Sequence, residues 1–133
     1  MRKASEGEEP SDAFFIFNIH MIKTKRLYDP REETDGYRIL VDRLWPRGFR
    51  KDTDQFDTWL KDIAPSNTLR KWFDHDPSKW PRFVQKYRVE IMDSEAYQQI
   101  LALKKKHRTI TLLYTAKDEL HNQAVALKHI LDK

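Results

Sequence analysis

Short apolar runs and longer amphipathic periodicities alternate along the chain from Met21 onward. Three runs have the length and the β-branched, aromatic and apolar composition of strands: Ile22–Tyr28, Tyr37–Asp42 and Thr109–Tyr114. The third run is almost wholly apolar, as expected of a central strand in a parallel sheet. The pattern therefore predicts a sheet of at least three strands, with the intervening chain forming the crossovers.

Helical spacing of apolar residues fills the stretches between and after these strands. An amphipathic helix that ends before Pro65 is predicted over Thr53–Ala64, where four apolar side chains are spaced i, i+3, i+4 and i+7: Phe56, Trp59, Leu60 and Ile63. Four later helices each follow a residue with a capping side chain: Ser66, Asp76, Ser94 and Asp118. The prediction is an α/β fold, with a parallel-type sheet flanked by helices and a helical middle segment.

The chain of 133 residues suits one domain with its own hydrophobic core. Residues 21–133 are predicted to form this single α/β domain. Residues 1–20 are predicted to be a disordered or weakly ordered extension, because Met1–Asp12 is polar. Within the extension, Phe14–Ile19 is apolar and is expected to add an edge strand or to pack on an apolar patch, on its own or a neighbouring chain.

Composition narrows the chemistry. Without cysteine there is no disulfide, thiol nucleophile or thiolate metal site, and three glycines do not build a phosphate-binding loop. The net charge of +4 permits anionic ligands or nucleic acid. No apolar run approaches the roughly 20 residues that span a bilayer, so a soluble, cytoplasmic protein without a membrane partner is expected.

Polar side chains follow each predicted strand at its carboxyl end. Tyr28 and Asp29 end the first strand, Asp42–Gly48 follows the second, and Tyr114–Asp118 ends the third. Because open parallel α/β sheets bind ligands at the carboxyl ends of their strands, these side chains are expected to line one site. The amides at the start of the last helix would face the same edge, which favours an anion.

Arg43 and Arg47 are the candidate anion-binding residues, because an arginine is costly to hold at the end of a buried strand unless it meets an anion or a carboxylate. For Arg43, a structural ion pair with Asp42 or Asp29 is an equal alternative. Arg47 lies in a Pro/Gly turn without an obvious local partner. Trp45 either stacks on a ligand or packs in the core, and packing is the favoured interpretation.

Two histidines are candidate proton-transfer groups. His75 lies between two aspartates, and His121 is placed beside the start of the last helix, where its imidazole would stay neutral. For His75 the alternative is an exposed loop residue, and for His121, which is better placed, a non-functional role is an equal alternative. The spacing of His75, Asp118 and His121 matches no standard metal site, so no metal is predicted and the cofactor is unassigned. The side chains that would orient this chemistry or bind the ligand are Asp42, Asp76, Tyr114, Asp118 and Asn122.

Several distinct motifs follow one another along the chain: Tyr28–Asp29, Asp35–Gly48, Trp59–Lys61, Ile63–Ser66, Leu69–Trp72, His75–Pro77, Leu113–Asp118 and His121–Ala124. This series resembles the YeaO-like branch of the family called domain of unknown function 488, from about Met21 to the C-terminus. The family is uncharacterised, so the resemblance implies motif residues and not a reaction. Two positions depart from its pattern: Lys117 stands where Arg is usual, and Thr115 where Ala is usual.

Two classes of function are consistent with these residues, and whether the chain is an enzyme stays open. In the first, Arg43 and Arg47 hold a small nucleotide- or phosphate-like substrate while His121 or His75 moves a proton. In the second, the same cleft belongs to a non-catalytic regulatory module that binds a ligand or nucleic acid. Nucleic acid is weakly supported, since 21 acidic residues dilute the positive charge. A partner-dependent scaffold or a homo-oligomer, with Phe14–Ile19 as the interaction strand, is a third alternative.

Overall fold

The computed structural model describes residues 20–133. The predicted polar tail, Met1–Asp12, and the apolar segment Phe14–Ile19 lie outside these residues. The described chain is a small α/β domain with a parallel sheet of four strands in the order β1-β4-β2-β3. The strands are β1 (Met21–Arg26), β2 (Tyr37–Leu40), β3 (Thr58–Trp59) and β4 (Thr109–Tyr114). The three predicted strands and their parallel arrangement are confirmed.

Four helices follow from the capping residues and the spacing of apolar side chains. They are α1 (Asn67–Phe73), α2 (Trp80–Ile91), α3 (Glu95–Lys106) and α4 (Gln123–Leu131), with short 3-10 helices at Glu33–Asp35, Lys61–Ile63 and Pro77–Lys79. The predicted caps at Ser66, Asp76 and Ser94 are confirmed, since their side chains accept hydrogen bonds from the amides of Leu69, Ser78 and Tyr97.

The predicted helix over Thr53–Ala64 is wrong. This stretch contains the two-residue strand β3, which pairs with β2, and only the 3-10 turn at Lys61–Ile63 is helical. The amides of Asp57 and Leu60 donate to carbonyls of the β2 strand, and these tertiary hydrogen bonds override the helical spacing. The apolar side chains divide between the two sides of the sheet: Leu60 and Ile63 on one side, Phe56 and Trp59 on the other.

The predicted cap of the last helix is also wrong. Asn122, and not Asp118, is the N-cap of α4, and its side chain accepts from the Val125 amide at 3.0 Å. The helix begins four residues later than predicted, because Asp118 caps the turn before it. Leu120, in that turn, is 70% exposed.

The two faces of the sheet are covered differently. On one face, the side chains of all four helices pack against apolar residues of β1, β2 and β4 and form the main core. On the other face, loops cover a smaller cluster formed by Leu27, Leu40 and Leu113 with partly buried aromatic side chains. The described helices contribute nothing to this second cluster. The loop-covered face also carries a network of charged groups around Asp35 and Arg38, both fully buried.

Candidate functional site

A cleft of about 620 Å³ opens between the end of α1 and the loop that follows β4. It lies at the carboxyl end of an inner strand, as predicted for a ligand site in this class of sheet. Its apolar lining comes from Pro65, Phe73, Phe83 and Ala116. Its polar lining comes from Arg70, Lys71, Asp74, His75, Lys117, Asp118, His121, Asn122 and Gln123.

One wall of the cleft ends in an unusual turn. Asp74 and His75 have φ values of 48° and 54°, a left-handed conformation that side chains other than glycine rarely adopt. The Asp74 amide still donates to the Arg70 carbonyl, so the turn closes α1. Such residues cost about 1–3 kcal/mol each and cluster at functional sites. The turn directs His75, a predicted catalytic residue, to the rim of the cleft.

The opposite wall is organised by Asp118. One carboxylate oxygen accepts from the Leu120 and His121 amides at 2.9 and 3.0 Å. The other lies 3.2 Å from His121 Nδ1. Hydrogen bonds from these amides and from His121 hold the pKa of Asp118 below its usual value. The imidazole also packs edge-on against Trp80, with 5.2 Å between the ring centroids. His121 is therefore fixed by a carboxylate and an aromatic ring at the cleft surface.

Asn122 and Asp42 stabilise this wall through hydrogen bonds. Asn122 is buried, and its amide group donates to the Asp118 carbonyl while its oxygen caps α4. The carboxylate of Asp42, just beyond β2, accepts hydrogen bonds from Thr115 Oγ1 and Gln123 Nε2. Burial raises the pKa of Asp42 in spite of these bonds. Since Gln123 lines the cleft, one side chain separates the Asp42 carboxylate from the cleft.

Arg43 supports the cleft from outside. Its Nη2 donates to the carbonyls of Ala64 and Pro65, at 3.0 Å each, and so fixes the turn that leads into α1. Within residues 20–133, its buried Nε has no hydrogen-bond partner. No ion pair with Asp42 or Asp29, the structural alternative weighed from the sequence, is present within the described residues. Arg43 instead binds backbone carbonyls.

Four other predicted site residues lie away from the cleft lining. Trp45 packs edge-on against Phe56 and Trp59 on the loop-covered face, and its indole donates to the Phe49 carbonyl. The others are Arg47, Tyr114 and Asp76. Arg47 is exposed in the loop after β2, Tyr114 is buried in the main core, and Asp76 accepts from the amide and the hydroxyl of Ser78. Burial raises the pKa of Tyr114, and the Ser78 bonds lower that of Asp76.

The cations of the cleft were not singled out from the sequence. Arg70 and Lys71 are exposed residues near the end of α1, and Lys117 lies across from them in the loop after β4. None of the three forms an ion pair with a carboxylate in the described part of the chain. Two lysines and an arginine line the cleft together with two carboxylates, Asp74 and Asp118, so these five groups carry a formal charge of +1. The sequence could not identify Arg70 and Lys71 as cleft residues, because charged residues on the solvent-facing side of a helix look the same whether or not they border a cleft.

Residues 20–133 contain neither a cluster of metal-ligating side chains nor a helix that could span a membrane. No three His, Cys, Asp or Glu side chains converge closely enough to hold a metal ion. No helix of these residues has both the length and the apolar composition needed to cross a membrane.

The fold and the cleft define a small parallel α/β domain with a mixed-charge pocket at its strand ends. A family model described as "Inactive DUF488-N3 subclade" matches residues 21–133. The chain therefore belongs to the family of domain of unknown function 488, which confirms the resemblance noted in its motifs.

Similar proteins carry no functional name. "Uncharacterized protein YeaO" of Escherichia coli strain K12 is 45% identical over 106 residues, which cover 80% of this chain and 92% of the relative. "Uncharacterized protein Mb3100c" of Mycobacterium bovis is 40% identical over 82 residues, which cover 62% of this chain and 70% of the relative. No solved structure matches the chain.

Proposed function

We propose that the cleft binds a compact anionic molecule, of nucleotide or phosphate type, and does not transform it. The observation that carries this proposal is the group of three cations without a carboxylate partner in the described residues, Arg70, Lys71 and Lys117, around an apolar floor. Arg70 also donates to the Asn67 side chain, which carries no charge. Cations without a carboxylate partner are available for charge-assisted hydrogen bonds to a phosphate. The floor can take the apolar part of the same ligand.

Two observations favour binding over turnover. The lining contains no Ser, Thr, Tyr or Cys that could act as a nucleophile within the described residues. The matching family model is described as an inactive subclade. In this proposal Arg43 is a positioning residue for the cleft wall. The anion is bound by the cations that line the cleft, and not by Arg43 and Arg47 as the sequence predicted.

A thermal-shift titration tests the proposal. Wild type, the Arg70→Gln/Lys71→Gln double variant and Lys105→Gln, an exposed lysine elsewhere, would be titrated with AMP, pyrophosphate and neutral adenosine. A ligand at about 100 times its dissociation constant stabilises a protein by about 2.7 kcal/mol. We expect a shift with the phosphate compounds in wild type and Lys105→Gln only. No shift with either compound, or an equal shift in the double variant, contradicts the proposal.

Arg47→Ala belongs in the same titration, because it tests the strand-end clamp predicted from the sequence. If Arg47 held the anion, its removal would weaken binding by about 1.5–3 kcal/mol, the scale of a charged hydrogen bond. Because Arg47 is absent from the cleft lining, the proposal expects unchanged binding.

The pair of His121 and Asp118 supports a second candidate, an acid–base enzyme acting on the same ligand. A carboxylate that accepts from Nδ1 leaves Nε2 of a neutral imidazole as a proton acceptor, which is how general bases are oriented. Turnover of a bound compound by wild type, and its loss in His121→Gln with binding retained, would favour the enzyme over the binding module.

A further inference from the structure

Two lysine side chains converge on one tryptophan beside the cleft. The Nζ atoms of Lys79 and Lys86 lie 5.2 and 5.0 Å from the centroid of the Trp72 ring. Lys79 also donates to the Trp72 carbonyl at 2.8 Å. The ring attracts each ammonium group by cation–π interaction, while the two ammonium groups repel each other. Two positive charges thus lie against the same tryptophan.

These lysines are part of a longer basic strip, defined here as Lys79, Arg82 and Lys86. The three lie at i, i+3 and i+7 on one face of the continuous helical segment that leads into α2. None forms an ion pair with a carboxylate of residues 20–133. The strip joins the cleft through α1, where the cleft residues Arg70 and Lys71 directly precede Trp72.

We propose that this surface binds single-stranded nucleic acid, with successive phosphates along the basic strip and one unpaired base in the cleft. The inference rests on the proposed function, since the base and its phosphate occupy the anion site described above. It extends that function from a small molecule to a polymer. A ligand with a single phosphate leaves the strip uncompensated, whereas a chain of phosphates matches cations that continue beyond the cleft.

The cleft favours a base over other groups. Phe73 and Phe83, whose ring centroids are 4.5 Å apart, are largely buried and give the cleft an apolar wall against which a flat, weakly polar ring can pack. Asp74 and Asp118 repel phosphate, but their carboxylates accept hydrogen bonds from the amino groups of a base. A base within a duplex is stacked and paired, so a single strand fits. An acidic peptide would instead bring carboxylates against these two.

Fluorescence anisotropy with a labelled oligodeoxyadenylate of about ten nucleotides tests the inference. The titrations would cover a range of salt concentrations for wild type, the Arg82→Ala/Lys86→Ala double variant and Lys105→Ala as the matched control. The double variant changes exposed residues outside the cleft lining, and circular dichroism would verify its fold. Duplex DNA, polyglutamate and AMP complete the set of probes.

We expect wild type and Lys105→Ala to bind the single strand more tightly than AMP or duplex. In the double variant, binding should weaken about tenfold, and the slope of log affinity against log salt should fall by about 1.4, for two phosphate contacts at about 0.7 each. AMP should still stabilise it. If AMP binds but the strip variant retains full oligonucleotide affinity, the inference fails and the proposed function stands. If neither AMP nor the oligonucleotide binds, both fail. Equal binding of duplex or polyglutamate overturns the assignment to a single strand.

Discussion

Asp35 and Arg38 form an ion pair, 2.7 Å between carboxylate and guanidinium, in which neither side chain is exposed to solvent. Lys25 and Lys23 contact the same carboxylate at 3.0 and 3.2 Å, and the Glu32 amide donates to it. Burial alone would raise the pKa of Asp35, but the amide and the three cations hold it far below its usual value. The carboxylate is thus the shared counter-charge of the loop-covered face.

Replacing Asp35 by asparagine should destabilise the protein by about 3–5 kcal/mol at neutral pH, because it leaves Arg38 charged and buried without its partner. The folded pKa of Asp35 is lower than its unfolded value of about 4, so the ionised carboxylate stabilises the fold above that value. This stabilisation is lost as the pH falls towards the folded pKa. The difference between wild type and Asp35→Asn should therefore shrink in acid.

Urea denaturation from pH 7 to pH 3 measures this difference. Asp93→Asn, a change at an exposed carboxylate, is the control and should follow wild type throughout. A difference between wild type and Asp35→Asn that stays constant over this range would show that the ionised form is not the stabilising one.

The two glycines with positive φ give a matched comparison. Gly36 has a φ of +63° and directly precedes β2, and a Cβ atom added there would lie 2.2 Å from the Thr109 carbonyl oxygen. Gly48 has a φ of +83°, and nothing lies within 4 Å of a Cβ atom added there. Gly48→Ala should cost about 1–2 kcal/mol from backbone conformation alone. Gly36→Ala should cost more than about 3 kcal/mol, because the backbone at the start of β4 must also move. Equal unfolding free energies for the two variants would contradict the close approach.

Thr115→Ala should reveal the bond between the β4 loop and the end of β2. The variant loses a hydroxyl donor to Asp42, which should cost about 1 kcal/mol of stability. Because that donor favours the charged carboxylate, its loss should raise the pKa of Asp42 further. A carbon-13 NMR titration of the Asp42 carboxyl group measures the shift. Thr115→Ser, which keeps the hydroxyl, should behave as wild type. An unchanged pKa of Asp42 in Thr115→Ala would show that the hydrogen bond from Thr115 does not stabilise the carboxylate.

Arg43→Met should destabilise the fold by about 1.5–3 kcal/mol, because two backbone carbonyls lose a charged donor. Arg43→Lys should recover only part of this, since a single ammonium group does not reproduce the geometry of a guanidinium. Thermal unfolding measures the stability, and AMP titration of the folded Arg43→Lys protein measures the cleft. Intact stability with lost AMP binding would make Arg43 a ligand residue and not a support.

Local signals predicted the strands and most helix starts, while long-range contacts decided the remainder. Serine caps act within three residues, so Ser66 and Ser94 were identifiable from the sequence. The stretch around Thr58 kept a helical pattern because its apolar side chains pack on both sides of the sheet, which spacing alone does not distinguish. Asp118 and Asn122 are both good caps, and the choice between them depends on how the loop returns from β4.

The candidate site was predicted in part for a similar reason. Strand-end reasoning identified His121 and Asp118, which the fold brings to one cleft with His75. The same reasoning proposed Arg43 and Arg47 as anion-binding residues because of their charge. Which groups a long side chain contacts depends on the loops around it, and neither arginine lines the cleft. Arg70 and Lys71 border the cleft only because α1 packs beside the loop after β4, a contact between distant parts of the chain.

The position of β4 has a consequence for biosynthesis. β1 and β2 both pair with β4 and not with each other, so the sheet lacks its connecting strand until Thr109–Tyr114 has been synthesised. When the nascent chain has emerged from the ribosome only as far as the end of α3, β4 is still missing. The apolar faces of the earlier strands and helices are then exposed. Productive folding must then wait until β4 has left the ribosome, and chaperones that shield apolar surface would act during this interval.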